Sequence, residues 1–180
     1  MPKKHPLKIL LYPFSIIYGI IVSIRNSFFD YNILPSHEFD IPIISVGNIT
    51  VGGTGKTPVV EYLIRMLKED FRVATLSRGY KRKTRHFILA SPDSTVHEIG
   101  DEPRQIKTKF PDIDVAVENN RVKGITNLIS GNDNLNVILL DDAFQHRYVK
   151  PGISILLIDY NLPFFNDHLL PFGRLRESPY

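Results

Sequence analysis

At 180 residues, 43% hydrophobic and 23% charged, the chain has the size and balance of one globular domain with a buried core. A formal net charge of +3 makes it mildly basic, which suits a phosphate-rich ligand or an anionic membrane surface, and no nucleic-acid partner is expected. The lack of cysteine excludes disulfide frameworks, thiolate zinc sites and thiol catalysis, and it permits a reducing cytoplasm.

The first element is the uncharged, apolar run at residues 9–24, which follows a basic start containing Lys3, Lys4 and Lys8. A spanning helix needs about 20 apolar residues. This run is shorter, contains Pro13 and Gly19, and ends at Arg25. Residues 1–30 are therefore expected to form a helix lying in a membrane interface, its basic end near lipid headgroups. Two rival readings are a signal peptide, for which a small-x-small cleavage site is missing, and a helix buried against the domain.

Residues 31–170 read as one α/β domain. After a polar link at residues 30–40, an apolar strand at 41–46 leads through a glycine-rich loop into a helix over 57–70. Pro58 suits the first turn of that helix, and Val59, Val60, Leu63, Met66 and Leu67 recur at helical spacing. A strand at 73–76, a basic exposed loop at 81–85 and a short extra strand at 87–90 follow. Asp101-Glu102-Pro103 has the chemistry of a helix start. A strand at 113–117, a helix from 119 to about 129, an apolar strand at 137–140 and a last strand at 153–158 complete the series. This alternation predicts a mostly parallel sheet flanked by helices, with four or five strands sharing one orientation. Residues 171–180 read as the start of a linker to a further domain.

The clearest motif is Thr50-Val51-Gly52-Gly53-Thr54-Gly55-Lys56-Thr57, set between an apolar strand and an amphipathic helix. Such a loop curls backbone N–H groups around an oxyanion at a positive helix N-terminus, Lys56 reaches the outer phosphates, and Thr57 can ligate magnesium. The fold expected is thus of the P-loop NTPase kind. Thr50 stands where the general pattern asks for Gly, with Gly47 three residues earlier. A second motif, the apolar strand running into Asp141-Asp142, supplies carboxylates for the magnesium of a P-loop enzyme. The chain has no Asn-Lys-x-Asp stretch to read guanine, which favours ATP over GTP.

The segment Ser45-Val46-Gly47-Asn48-Ile49-Thr50-Val51-Gly52-Gly53-Thr54-Gly55-Lys56-Thr57-Pro58 resembles the signature of the tetraacyldisaccharide 4'-kinases of the lipid A pathway, in which Ser or Thr is common at the first loop position. Further similarities are Ser77-Arg78-Gly79-Tyr80, Gly100-Asp101-Glu102-Pro103, Asn120-Arg121, the run from Asp141 to Arg147, and the run from Leu170 to Glu177. Ala143 stands where Gly is more usual. The resemblance covers nearly all of the chain and about the N-terminal half of a usual member.

It implies transfer of the ATP γ-phosphoryl group to the 4'-hydroxyl of a lipid A disaccharide precursor, giving lipid IVA at the cytoplasmic face of the bacterial inner membrane. It also implies that Asp101 is the catalytic base and that Asp141 and Asp142 serve magnesium. Arg78, Arg121, Gln145, His146 and Arg174 become candidates for contact with ATP phosphates or the lipid substrate. Read without the resemblance, Asp101 could instead cap a helix, the arginines could be solvated surface charges, and His146 could be structural. Two other functions compete. One is a membrane-bound ATPase switch of the partition type, against which Val51 stands in place of that family's signature lysine. The other is an ATP-binding fragment without turnover.

Overall fold

The computed structural model describes residues 6–178, so Lys3, Lys4, His5 and Tyr180 lie outside the described residues. The chain divides into two compact units that are not contiguous in sequence. One comprises residues 36–47 and 55–155, the other residues 1–35, 48–54 and 156–180.

The first of these units is built on strands β1 (Ile43–Gly47), β2 (Val73–Ser77), β3 (Ile88–Leu89), β4 (Asp114–Val117), β5 (Val137–Asp141) and β6 (Ile153–Leu156), the last of which ends at the unit boundary. They form one sheet in the order β3-β4-β2-β5-β1-β6. Pairing is parallel between β1 and β5, β5 and β2, and β2 and β4, so four strands share an orientation as expected. The short extra strand β3 runs antiparallel to β4 at the edge. β2 and β5 are buried along their whole length, which is why both read as unbroken apolar runs rather than alternating ones.

The crossover helices are α2 (Lys56–Leu67), α3 (Val96–Ile99), α4 (Asp101–Lys109) and α5 (Arg121–Gly131). α2 packs on β1 and β5, α4 on β4, and α5 on β2 and β4. Ala74, Leu76, Ile125, Leu128, Ile138 and Leu140 form the heart of the core. α3 was not foreseen. It is one turn long and held by a capping box in which Thr95 and Glu98 satisfy each other's backbone N–H groups. Asn120 caps α5 by accepting from the Lys123 N–H, which moves the helix start two residues beyond the expected 119. Glu61, buried on α2, accepts from Lys109 Nζ at 2.6 and 2.9 Å and from Gln105 Nε2 at 2.7 Å, fastening α2 to α4.

In the second unit, a 3₁₀ turn at Pro6–Leu11 opens into α1 (Tyr12–Asp30). α1 leaves a large apolar face exposed. Its packed side carries Ser15, Tyr18, Gly19, Val22, Arg25, Asn26 and Phe29, whereas Phe14, Ile16, Ile17, Ile20, Ile21 and Ile24 are each at least half exposed. Residues 167–177 fold into a closed strap beside α1. Asp167 accepts from the backbone N–H groups of His168 and Arg174 and from Arg174 Nε, the last at 2.6 Å. Ser15 Oγ donates to the Leu169 carbonyl at 2.7 Å. The proline and glycine of this stretch sit in a tight, internally bonded loop.

Candidate functional site

In a parallel sheet every crossover starts at a strand's C-terminal end, so functional loops gather on that edge. Here β1 ends in the glycine-rich loop and β5 ends at Asp141. The register places Val46 opposite Asp141, so the end of β1 lies beside the strand tip that carries the acidic pair. Gly47 allows this approach. A Cβ there would lie 2.6 Å from Phe144 Cβ and 2.8 Å from the Phe144 nitrogen. The glycine three residues before the loop therefore serves close packing of β1 against the residues after β5, and is no displaced member of the loop.

Within residues 48–54, Asn48 is fully buried and its Nδ2 donates to Thr54 Oγ1 at 2.8 Å. Thr50 bridges Leu175 in antiparallel fashion, and the Val51 N–H donates to the Arg174 carbonyl at 2.8 Å. A residue with a side chain suits this strand-like pairing, which gives Thr50 a local reason where the general pattern has Gly. Gly52 and Gly55 have φ of +124° and +79°, the left-handed region open to glycine, and a Cβ on Gly52, Gly53 or Gly55 would meet nothing within 4 Å. Space for a ligand and backbone freedom coincide there. Gly55 precedes α2, with Lys56 and Thr57 as its first two residues and Pro58 in its first turn.

Lys56 Nζ lies 3.4 Å from Asp142 Oδ1. Asp142 itself has φ +48°, an uncommon conformation for a residue with a side chain and one that turns the chain sharply after β5. Asp141 is 2% exposed, and its Oδ1 is buried without a hydrogen bond among the described residues. Burial first, then the charges of Glu102 and Asp142, push its carboxyl up to about 7, with Lys56 opposing. A buried carboxylate with an orphaned oxygen beside two more acids is a site short of positive charge. That fits a hard divalent cation completed by water and phosphate oxygens. No group of three or more His, Asp or Glu side chains sufficient to hold a metal alone occurs among the described residues.

The arginines divide. Arg78 is exposed and its Nη2 lies 3.0 Å from His146 Nε2, so these two candidates meet. Arg121 is 2% exposed. Its Nη1 donates to the Glu118 carbonyl at 2.5 Å and its Nη2 to the Asp141 carbonyl at 3.3 Å. Burial, with Arg78 adding repulsion, lowers it to about 10. Arg121 thus braces the tip of β5 from beneath, unlike a solvated arginine. Gln145 is half-buried in the loop after β5, between Asp142 and His146. Arg174 belongs to the strap of the other unit, where Asp167 holds it.

Asp101 is exposed at the first position of α4 and forms no hydrogen bond or ion pair among the described residues. The helix cap is Gly100, at φ +91°, where a Cβ would lie 2.8 Å from the Tyr80 carbonyl. The turn after β2 is therefore packed directly against the residue preceding Asp101, which unites two motifs far apart in sequence. Sequence reasoning missed Glu102 and Asn48. Both stand inside motifs that were recognised, but only folding shows that Glu102 faces Asp141 and that Asn48 ties the loop.

A parallel sheet with a glycine-rich loop between β1 and α2, a lysine at the helix start and an acidic pair on the adjacent strand defines a P-loop nucleotide-binding protein of the α/β class. The family model of the tetraacyldisaccharide-1-P 4'-kinases (LpxK) matches residues 7–180, and the chain belongs to that family. Tetraacyldisaccharide 4'-kinase of Bacteroides thetaiotaomicron is 56% identical over 178 residues, 97% of this chain and 47% of its own length. That of Phocaeicola vulgatus is 60% identical over 169 residues, 93% of this chain and 46% of its own length. The chain spans about half the length of the curated relatives it matches. Among solved structures, LpxK from Aquifex aeolicus in complex with ATP superposes with a TM-score of 0.88 at 39% identity, over 96% of this chain and 55% of that one.

Proposed function

We propose that this chain forms the nucleotide-binding part of a lipid A pathway kinase, which transfers the γ-phosphoryl group of ATP to the 4'-hydroxyl of tetraacyldisaccharide 1-phosphate and yields lipid IVA. The observation that carries the reading is the meeting of Lys56 with Asp142 beside the buried Asp141 at the end of the glycine-rich loop. ATP is the expected nucleotide, since the similar Aquifex protein is described in complex with it.

In this reading residues 50–57 cradle the phosphates with backbone N–H groups, and Lys56 leaves Asp142 to meet the β- and γ-phosphates. Thr57, Asp141 and Asp142 would hold magnesium, which when bound neutralises charge on the phosphate oxygens. Arg121 keeps β5 and its two acids in place. Asp101, uncommitted to any bond, accepts the proton of the attacking sugar hydroxyl. Arg78, Gln145, His146 and Arg174 are proposed contacts to phosphate groups of nucleotide or lipid.

The exposed apolar face of α1 supports association with the cytoplasmic face of the inner membrane. With Ile9–Asp30 the helix is long and apolar enough to cross a bilayer by length and composition, while Ser15, Tyr18, Arg25 and Asn26 are on the packed side. An outward face of isoleucine and phenylalanine is at home in acyl chains, where the substrate's own chains reside. The partition-type ATPase reading has no support from the family match.

The test is transfer of label from γ-labelled ATP to tetraacyldisaccharide 1-phosphate in mixed micelles by the full natural chain, with the new phosphate located at the 4' position by NMR. Labelled lipid is expected. Release of inorganic phosphate with the lipid unlabelled would refute the kinase reading.

A further inference from the structure

We propose that Tyr18 of α1 is a positioning residue for the nucleotide loop, holding residues 48–54 in shape through the backbone of Arg176; the inference rests on the reading of that loop as the ATP site. The peptide chain at Arg176 is gripped from both sides. Its N–H donates to the Ile49 carbonyl at 2.7 Å, and its own carbonyl accepts from the Tyr18 hydroxyl at 2.7 Å. One residue earlier Leu175, 3% exposed, bridges Thr50, and the Arg174 carbonyl accepts the Val51 N–H. Three successive strap residues thus pair with three successive loop residues like a short added strand.

The strap can transmit position because it is closed on itself. Leu175 N–H donates to the His168 carbonyl at 3.0 Å, Leu170 N–H to the Leu175 carbonyl at 2.9 Å, and Gly173 N–H to the Leu169 carbonyl at 2.9 Å. Asp167 clamps Arg174 as described. Three residues of α1 seat this plate. Ser15 donates to Leu169. Gly19 brings the helix so close that a Cβ would stand 2.8 Å from Leu169 Cδ1, and Tyr18 reaches Arg176. Burial, then the nearby Glu177 carboxylate, keeps the Tyr18 phenol above its ordinary range, so it remains a donor.

The loop needs such support. Val51, Gly52 and Gly53 are exposed, and a Cβ on either glycine would meet nothing within 4 Å, so packing does not fix their backbone. A glycine-rich segment left to itself loses much conformational freedom when it closes on a phosphate, and that loss is subtracted from affinity. Pairing with the strap orders the segment beforehand. The division of the chain agrees, since residues 48–54 cluster with α1 and the strap. The helix proposed to face lipid is then also part of the scaffold of the nucleotide loop.

The experiment compares the full natural chain with its Tyr18→Phe and Ser27→Ala variants. Among the described residues Ser27 Oγ bonds within the helix alone, to the Ser23 carbonyl at 3.0 Å, and it serves as the neutral control. Backbone hydrogen exchange is followed at residues 48–54, at Arg176 and at β5, and Kd for magnesium ATP is measured on the same samples. Tyr18→Phe is expected to speed exchange at Val51 and Arg176 while β5 stays protected, and to weaken ATP about 5-fold with little change in Tm, as one hydrogen bond allows. Unchanged exchange at 48–54 together with unchanged Kd would overturn the proposal. If Tyr18→Phe does not fold, Ser15→Ala, which frees the same strap at Leu169, is read by the same criteria. The exchange arm uses no nucleotide. A protein that binds no ATP yet shows the localised exchange sinks the nucleotide reading and leaves the Tyr18 linkage standing.

Discussion

Lys56 Nζ and Asp142 Oδ1 stand 3.4 Å apart, so the lysine expected to reach for phosphate is already matched with an acid expected to serve a cation. The pair keeps both charges partnered, and a nucleotide with magnesium offers each a stronger one. Lys56→Ala should weaken ATP binding by about 10- to 100-fold, the worth of a charge-assisted hydrogen bond or two. Asp142→Asn should leave metal-free ATP binding intact or tighter, because a competitor for the lysine is gone, while the gain from adding magnesium shrinks. Calorimetric titrations with and without magnesium separate the two variants.

Arg121 is a support of β5, so its removal should register first in stability. Arg121→Ala leaves the Asp141 carbonyl and the Glu118 carbonyl without their donors in a buried place, at a cost of about 3 kcal/mol. Arg121→Lys should recover only part of this, since an ammonium lacks the fork that spans two carbonyls. Urea unfolding midpoints give the answer.

Gly47→Ala tests the close approach of β1 to the residues after β5. The added methyl would meet backbone as well as side chain at Phe144, so the chain must shift, at about 1–3 kcal/mol. Because the residues that move carry Asp142 and His146, ATP binding should fall with stability. The same substitution at Gly53, where a Cβ meets nothing, should spare stability.

Glu61 sets part of the acid limb of stability. Burial raises its carboxyl, but the bonds from Lys109, Gln105 and Arg65 outweigh burial and hold it below the usual 4.5. With a folded pKa below the unfolded one, its contribution is complete above about pH 4.5 and is lost as pH falls through the folded value. Glu61→Gln should lower stability at pH 7 by about 1–2 kcal/mol and flatten its decline between pH 5 and 3. Chemical denaturation across that range checks the slope.

The elements legible in the sequence are those whose signals are local. The loop of residues 50–57, helix α2 and strand β5 with its acidic end declare themselves through glycine spacing, helical periodicity and an apolar run, and each lies within three residues of its expected bounds. What escaped depends on residues that meet only after the chain crosses over. Nothing around Glu102 announces Asp141, 39 positions later in sequence. Arg121 could not be told from a surface arginine, because its burial is created by the tip of β5. The pairing of Arg174, Leu175 and Arg176 with Val51, Thr50 and Ile49 was not legible, since hydrogen bonds to backbone leave no mark on residue type.

The central claim is that the loop binds ATP while Asp101 serves the transfer. It is tested most directly by measuring, in the same preparations of the full natural chain, Kd for magnesium ATP and the rate of phosphate transfer to tetraacyldisaccharide 1-phosphate for wild type, Lys56→Ala and Asp101→Ala. The account predicts that Lys56→Ala loses both, and that Asp101→Ala keeps ATP Kd within about 2-fold while transfer drops by at least about 100-fold, the usual share of a general base. Transfer by Asp101→Ala at the wild-type rate, or ATP hydrolysis that leaves the lipid unphosphorylated, would contradict it.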